Sequence, residues 1–523
     1  MNFLRKNGIR LFAILLVIVV FSSVNYLKPK YSFNWDSHNK LVQSYSLLQN
    51  KFQSEELFYP GKEFDPEYNY FPVQNNVFLK LEQRHLSAFP VFFAAISSLW
   101  LWVFGFSALP YLSAIGLLLS LLLLYKKWKF SEFSLAIAGL GTFAWILSVE
   151  YSEHSFFMLS ALYSLTFALR GKNSLAKFIF SGIFCGISVW FRHEGLVYCA
   201  SLAFWILAAG NKKGSFKQSI SEFLFFCLGA SISVGVFFLF NFIDYGHFLG
   251  PRFIINESGL NVSYTTRLEW AKTLLFFGTF KLGYFGYMPA SLLLFPILIS
   301  GWKKLSSRNR ILLGSTLSYI FLVLLIIPND GFNNWGPRFF GPAVFPFAIL
   351  FSKYYYFLKN KRKFKFIRIL FLACILFSFL CGLIGLKYVK EGRKQQEANN
   401  SALHSTNSEI WIFSDDSLAY IAGSDYFNKI IFRVYSAEEL PKFLSDLSKF
   451  YPGKKVALVQ ANDRIFGEKV KSTIKENSKF AYGIGKMIWE KESFESAVRS
   501  NLDNREESAK ASLKFSIGNL KLR

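Results

Sequence analysis

The stretch from Leu109 to Lys129 reads LPYLSAIGLLLSLLLLYKKWK, an apolar run closed by Lys126, Lys127 and Lys129. Apolar runs of about 18 residues or more read as membrane-spanning helices. Similar runs recur along the chain, and every second loop between them is basic. Arg170, Lys172 and Lys177 form one such loop. Lys212, Lys213 and Lys217 form the next, then Lys303, Lys304, Arg308 and Arg310, then the run from Lys359 to Arg368. Short loops rich in Lys and Arg stay cytoplasmic because they translocate poorly. The intervening loops hold the acids and histidines: Asp36, His38, Glu150, Glu153, His154, His193, Glu194, Asp244, His247 and Asp330. Chemistry built from these groups therefore faces outward.

Composition agrees. Apolar residues make up 52% of the chain and aromatics 19%, more than a single soluble core needs. The net charge of +25 would suggest nucleic acid in a soluble protein. Here most of the excess lies in cytoplasmic loops, so it reports topology and contact with anionic membrane lipids, with no nucleic-acid partner expected. Cys185, Cys199, Cys227, Cys374 and Cys381 all lie in apolar segments without metal-ligand spacing. They read as small core residues, with no disulfide partner.

The expected fold is a polytopic α-helical membrane protein of about 11 spans plus interfacial helices, with a small C-terminal α/β domain. The first span covers 9–27, with its N-terminus inside. No small-residue cleavage site follows, so the run reads as an uncleaved span rather than a signal peptide. Two apolar segments, 86–104 and 108–125, precede the basic cluster Lys126–Lys129. If both crossed, every later basic loop would lie outside. The segment 86–104 carries Pro90 and ends Trp100-Leu101-Trp102, which suits an interfacial helix. The later spans fall at 132–149, 155–170, 175–191, 195–210, 220–241, 275–300, 311–328, 338–357 and 366–387. Residues 1–390 then form the membrane domain, with the first outer loop, 28–107, inside it. Residues 391–405 read as a linker. Within 406–492, Ile410–Phe413, Ile430–Val434 and Val456–Val459 read as strands, and Ser436–Phe450 and Gly467–Glu476 as amphipathic helices, around a parallel sheet. With an odd number of spans this domain is extracytoplasmic. The tail 493–523 is charged and expected to be poorly ordered.

Four clusters can carry chemistry. Asn34-Trp35-Asp36-Ser37-His38 follows the first span, and Asp36 reads either as a helix cap or as a functional carboxylate. Glu150-Tyr151-Ser152-Glu153-His154 ends the third span. Glu150 and His154 are four apart, so they can share one helical face, and a divalent cation there stays open. Arg192-His193-Glu194 sits between two spans with almost no loop, where ionisable groups are costly unless paired or facing a polar cavity. Trp335-Gly336-Pro337-Arg338-Phe339 forces a turn before a span and sets Arg338 on the exposed first turn of that helix. Such an Arg either binds phosphate or anchors the helix end.

Together these motifs resemble the GT-C superfamily, integral-membrane glycosyltransferases that use polyprenyl-phosphate-linked sugars. Protein mannosyltransferases and the aminoarabinose transferases of lipid A are its best-known members. The resemblance covers about residues 1–390. It adds Gln83-Arg84-His85-Leu86, which looks like the start of the family's juxtamembrane helix. It implies an inverting transfer from a polyprenyl-phosphate sugar to an envelope acceptor, at the outer face of a bacterial cytoplasmic membrane. It implies Asp36 as general base, with Glu153 as a second catalytic candidate. It implies Arg338, Arg192 and Arg84 as phosphate ligands. His38, His85, Glu150, His154, His193, Glu194 and Trp335 are supporting candidates, no cofactor is fixed, and the metal requirement stays open. A lipid-linked glycan transporter or a membrane acyltransferase is the rival reading. A transporter would show repeats and mid-membrane charges, and an acyltransferase a histidine deep in a span.

Overall fold

The structure, a computed structural model, describes residues 2–29, 33, 35–73, 77–171, 174–209, 216–257, 262–278, 281–331, 335–462 and 488–522. The chain divides into two compact units. Residues 1–28 and 90–389 form the first, and residues 29–89 and 390–523 the second.

The first unit is helical. Among the described residues, four helices are long and apolar enough to cross a membrane: Phe106–Trp128, Phe216–Tyr245, Ser307–Ile326 and Arg362–His404. Leu11–Leu27, Val91–Phe104, Ala176–Phe191 and Glu194–Ala208 are shorter apolar helices. The helix Val91–Phe104 has 14 residues. At about 1.5 Å per residue it falls short of a hydrocarbon core of about 30 Å. Gly105, with φ at +74°, ends it in a conformation that favours glycine. The expected start at residue 86 is corrected, because Arg84–Ser87 is a strand and Pro90 precedes the helix.

Two expected spans are broken. The stretch 132–149 splits into Glu132–Leu140 and Ala144–Ser148. The stretch 275–300 opens with an antiparallel ribbon, Phe277–Gly278 against Lys281–Leu282, followed by the short helices Tyr284–Tyr287 and Ala290–Ser300. Irregular backbone in such a protein survives only where its polar groups find partners. Ala176–Phe191 and Phe216–Tyr245 pack backbone to backbone. A Cβ on Gly182 would lie 2.1 Å from the Phe226 carbonyl oxygen, and one on Gly229 2.0 Å from that of Ile179. Small residues at such crossings let membrane helices approach closely. Leu224, Leu228, Ile232, Val236 and Leu239 are exposed on Phe216–Tyr245, as lipid-facing positions are.

The second unit is built on a sheet. The first outer loop supplies β1 (Phe78–Leu81) and β2 (Arg84–Ser87), an antiparallel hairpin. The C-terminal part supplies β3 (Ile410–Phe413), β4 (Ile430–Arg433), β5 (Lys455–Ala461), β6 (Leu502–Lys510) and β7 (Leu513–Leu520). Their spatial order is β4-β3-β5-β7-β6. β3 pairs in parallel with β4 and β5, while β7 is antiparallel to β5 and β6. The three expected strands and the expected parallel pairing are present. The helix expected from Ser436 spans Leu440–Phe450. The helix expected at Gly467–Glu476 lies outside the described residues.

Three domain expectations are corrected. The first outer loop does not belong to the membrane unit in its first part. Val42, Leu57, Tyr59, Phe71 and Val73 bury themselves in the same apolar cluster as Trp411, Phe432, Phe443 and Phe515. The supposed linker 391–405 is helical to His404, because Lys365–His404 is one 40-residue helix. The charged tail is ordered as the helix Lys491–Asn501 and the hairpin of β6 and β7. Its alternating Leu513, Phe515 and Ile517 are buried, which is the pattern of a half-buried strand.

Candidate functional site

The helix Ala176–Phe191 ends where Arg192 turns extended, at φ −154° and ψ 137°. The next helix begins at Glu194. That tight turn leaves the Arg192 side chain no path to water, and it is 1% exposed. A guanidinium buried this far needs counter-charges. Arg192 Nη1 donates to Glu153 Oε1 at 2.7 Å, and Nη2 donates to Glu194 Oε1 at 2.8 Å. Glu153 stands just before the helix His154–Arg170 and is itself buried. The local Arg192–Glu194 pair is thus one half of a buried bridge spanning two helix starts.

Phe339 joins this bridge to Arg338. The guanidinium carbons of Arg192 and Arg338 each lie 5.5 Å from the centre of the Phe339 ring, within range of a cation–π attraction. The Tyr319 hydroxyl donates to the Phe339 carbonyl oxygen at 2.7 Å and fixes the turn. The sequence sets Arg338 on the exposed first turn of a helix, and the structure corrects this. Arg338–Phe340 is a 3₁₀ turn, the α-helix begins at Gly341, and Arg338 is buried.

Two further cations belong to this cluster and were not singled out in the sequence. Lys281 Nζ donates to Asp330 Oδ2 at 2.6 Å and to the Asp330 carbonyl oxygen at 2.9 Å, and it feels the charge of Arg338. Arg252 feels the charges of Arg192, Glu194, Glu153 and Arg338. Lys281 in isolation is an ordinary loop lysine. Arg252 carried a signal, because Gly250-Pro251-Arg252-Phe253 repeats Gly336-Pro337-Arg338-Phe339.

The remaining candidates of this unit divide by role. Glu150 does not share a helix with His154: it lies in the bend between Ala144–Ser148 and His154–Arg170, so the two are not carried on one helical face as expected. His154 is buried at the start of its helix. The His193 ring packs edge-on against Phe237. Trp335 is a packing anchor, its Nε1 donating to the Cys381 carbonyl oxygen at 3.1 Å. Among the described residues, no group of three His, Cys, Asp or Glu side chains is placed to hold a metal ion.

Asp36, His38, Arg84 and His85 stand in the second unit. Asp36 lies in the first turn of the helix Trp35–Gln49, where the helix dipole favours a carboxylate, and it is half-buried. His38 is a core residue. It meets Tyr420 and Tyr426 edge-on, and burial pushes its imidazole down to about 3, so it stays neutral. Arg84 opens β2, and the His85 ring stacks on Tyr68 at 3.7 Å.

No family model matches the sequence, and no curated protein does. Solved structures do match. ArnT from Cupriavidus metallidurans, bound to undecaprenyl phosphate, is 10% identical with a TM-score of 0.54, and the match covers 98% of each chain. Its apo state matches equally. The oligosaccharyltransferase of Archaeoglobus fulgidus in its apo form is 12% identical with a TM-score of 0.45, covering 86% of this chain and 69% of that one. The chain shares the fold of ArnT, with a unit of apolar helices and a small C-terminal sheet domain.

Proposed function

We propose that this protein is a membrane glycosyltransferase that moves a sugar from a polyprenyl-phosphate-linked donor to an acceptor of the cell envelope. One observation carries the reading: in a chain with the ArnT fold, a buried Glu153–Arg192–Glu194 bridge shares the Phe339 ring with Arg338. Undecaprenyl phosphate is the lipid bound to ArnT, and a lipid phosphate is the anion that such an arginine site suits.

The chemistry is a single displacement. The acceptor oxygen bonds to the anomeric carbon as the bond from that carbon to the phosphate oxygen breaks. The electron pair leaves with the phosphate, and the acceptor proton passes to Asp36. The anomeric centre inverts. The phosphate charge grows from about −1 in the donor to about −2 in the leaving lipid phosphate, so a fixed cation favours the transition state over the ground state. Arg338 supplies that cation. Both Arg192 terminal nitrogens are held by carboxylates, so Arg192 serves as a positioning residue, keeping Phe339 and the Arg338 turn in place. Glu153 acts the same way, through Arg192, and Asp36 is the base.

The test is release of polyprenyl phosphate from lipid-linked sugars by the purified protein, with envelope extract as acceptor. Arg338→Ala should lower release at least tenfold. Arg338→Lys should recover part of it, because an ammonium lacks the planar two-point contact. Wild-type release by Arg338→Ala would overturn the reading.

A further inference from the structure

The helix Trp35–Gln49 carries a polar stripe. Asp36, Asn39, Lys40 and Gln43 stand at i, i+3, i+4 and i+7, so they share one helical face. Asn39 is 3% exposed and Gln43 1%. Asparagine is a poor helix former, and a buried carboxamide is costly unless it is hydrogen-bonded.

Other polar groups of this helix are satisfied locally. The Ser44 and Ser46 hydroxyls donate to the carbonyl oxygens of Lys40 and Val42 at 2.7 and 2.6 Å. Gln43 Nε2 donates to the Phe89 carbonyl oxygen at 3.0 Å, which fixes the orientation of that amide. Lys40 Nζ lies 4.8 Å from the centre of the Phe89 ring. The Asn39 amide differs. Its Oδ1 and Nδ2 both lack a hydrogen-bond partner among the described residues, and so does Gln43 Oε1. Asn39 and Gln43 are four apart, a spacing at which such side chains can bond, yet they do not. His38 Nδ1 is unpartnered too, but His38 turns to the other side, onto Tyr420 and Tyr426.

Three unpaired amide atoms therefore follow Asp36 on its own face within two helical turns. They are neutral, and together they both donate and accept. That matches hydroxyl groups, which also do both, rather than a phosphate, which only accepts.

We propose that Asn39, with Gln43 beside it, binds hydroxyl groups of the sugar being transferred and so selects that sugar. This rests on the glycosyltransferase reading with Asp36 as base. Three residues span about 4.5 Å along a helix, so a sugar reacting beside Asp36 brings its ring hydroxyls to Asn39. A sugar without the matching hydroxyl would leave the buried amide unpaired and be rejected.

Asn39→Leu tests it in the purified full-length protein, because leucine is close in size and removes both amide atoms. Three quantities are compared with wild type: release of polyprenyl phosphate from the lipid-linked sugars of the source membranes, binding of sugar-free undecaprenyl phosphate, and the thermal midpoint. The KM for lipid-linked sugar should rise about fivefold or more, the scale of one or two lost hydrogen bonds. Affinity for undecaprenyl phosphate should stay unchanged. The midpoint should hold or rise, since an unpaired buried amide gives way to an apolar group. An unchanged KM for the donor, or a rise in the KM for the acceptor in its place, would overturn the proposal. Weaker binding of undecaprenyl phosphate would put Asn39 on the phosphate, and a lowered midpoint would make its amide structural; either overturns it. Asn39→Ser, smaller and with one hydroxyl kept, covers misfolding of the leucine variant. Its KM should also exceed that of wild type, and a wild-type KM would overturn the proposal. Absence of release by wild type would overturn the glycosyltransferase reading itself.

Discussion

At the scale of single residues, Arg192 is among the most deeply buried charges of the described residues. Its guanidinium is almost fully buried and meets a carboxylate on each side. Removing one member of a buried pair leaves the other charges uncompensated, at a cost of about 3–5 kcal/mol. Arg192→Gln should therefore lower the thermal midpoint of the detergent-solubilised protein markedly, and an unchanged midpoint would show that the bridge contributes nothing. Asp416 makes a pH prediction. Burial, and then the charge of Asp415, push its carboxyl up to about 6, while the Tyr435 hydroxyl donates to it at 2.7 Å. The folded state thus holds that proton more tightly than the unfolded chain. The resulting stability is complete below about pH 4 and is lost as pH rises through about 6. Asp416→Asn stays neutral throughout, so wild type should lose thermal midpoint relative to the variant between about pH 4 and pH 7. A constant difference would contradict the account. Arg192, Glu194 and Arg338 were legible in the sequence because charges without a loop to carry them outward must be accommodated between helices. Their partners were not. Nothing local says that Arg192 reaches Glu153, or that Lys281 meets Asp330, because those contacts come from the packing of distant segments.

At the scale of elements, Ala176–Phe191 and Phe216–Tyr245 cross closely, with Gly182 and Gly229 at the crossing. Gly229→Val would drive a side chain into the Ile179 carbonyl, and overpacking of this kind costs about 1–3 kcal/mol. Gly235 lies on the same helix with open space around it. Gly235→Ala should leave stability equal or slightly raised, since alanine is the better helix former. Equal thermal midpoints for Gly229→Val and Gly235→Ala would mean that the close crossing is unimportant. Long helices and parallel strands could be read from sequence, since apolar length and short β-branched runs are local signals. The breaks at 141–143 and at the ribbon of Phe277–Gly278 and Lys281–Leu282 could not, because an apolar stretch hides a change of backbone path. The tail misled for the opposite reason. The charges of β6 lie on an exposed edge and mask the alternating apolar residues of β7 beside it.

At the scale of the whole molecule, the main departure from the sequence reading is the company kept by the first outer loop. Its polar composition suggested solvent, but its aromatic residues complete the core of the C-terminal sheet. Two segments at opposite ends of the chain form one unit, so the helix bearing Asp36 depends on that sheet for its stability. No local pattern announces a core assembled across such a sequence separation. The fold as a whole was nonetheless legible, because the long apolar runs and the change of composition after Lys387 are visible in the sequence itself. The central claim, sugar transfer from a lipid phosphate with Asp36 as base, has a direct test in the membranes of the source cell. Polyprenyl-phosphate-linked sugars would be measured by mass spectrometry with the gene deleted, restored as wild type, and restored as Asp36→Asn. The account predicts that one such lipid accumulates in the deletion and in the Asp36→Asn strain, and falls to its normal level with the wild-type gene. Loss of a general base slows turnover by about a hundredfold or more, enough to hold the donor pool high. No accumulation in the deletion, or full relief by Asp36→Asn, would contradict it.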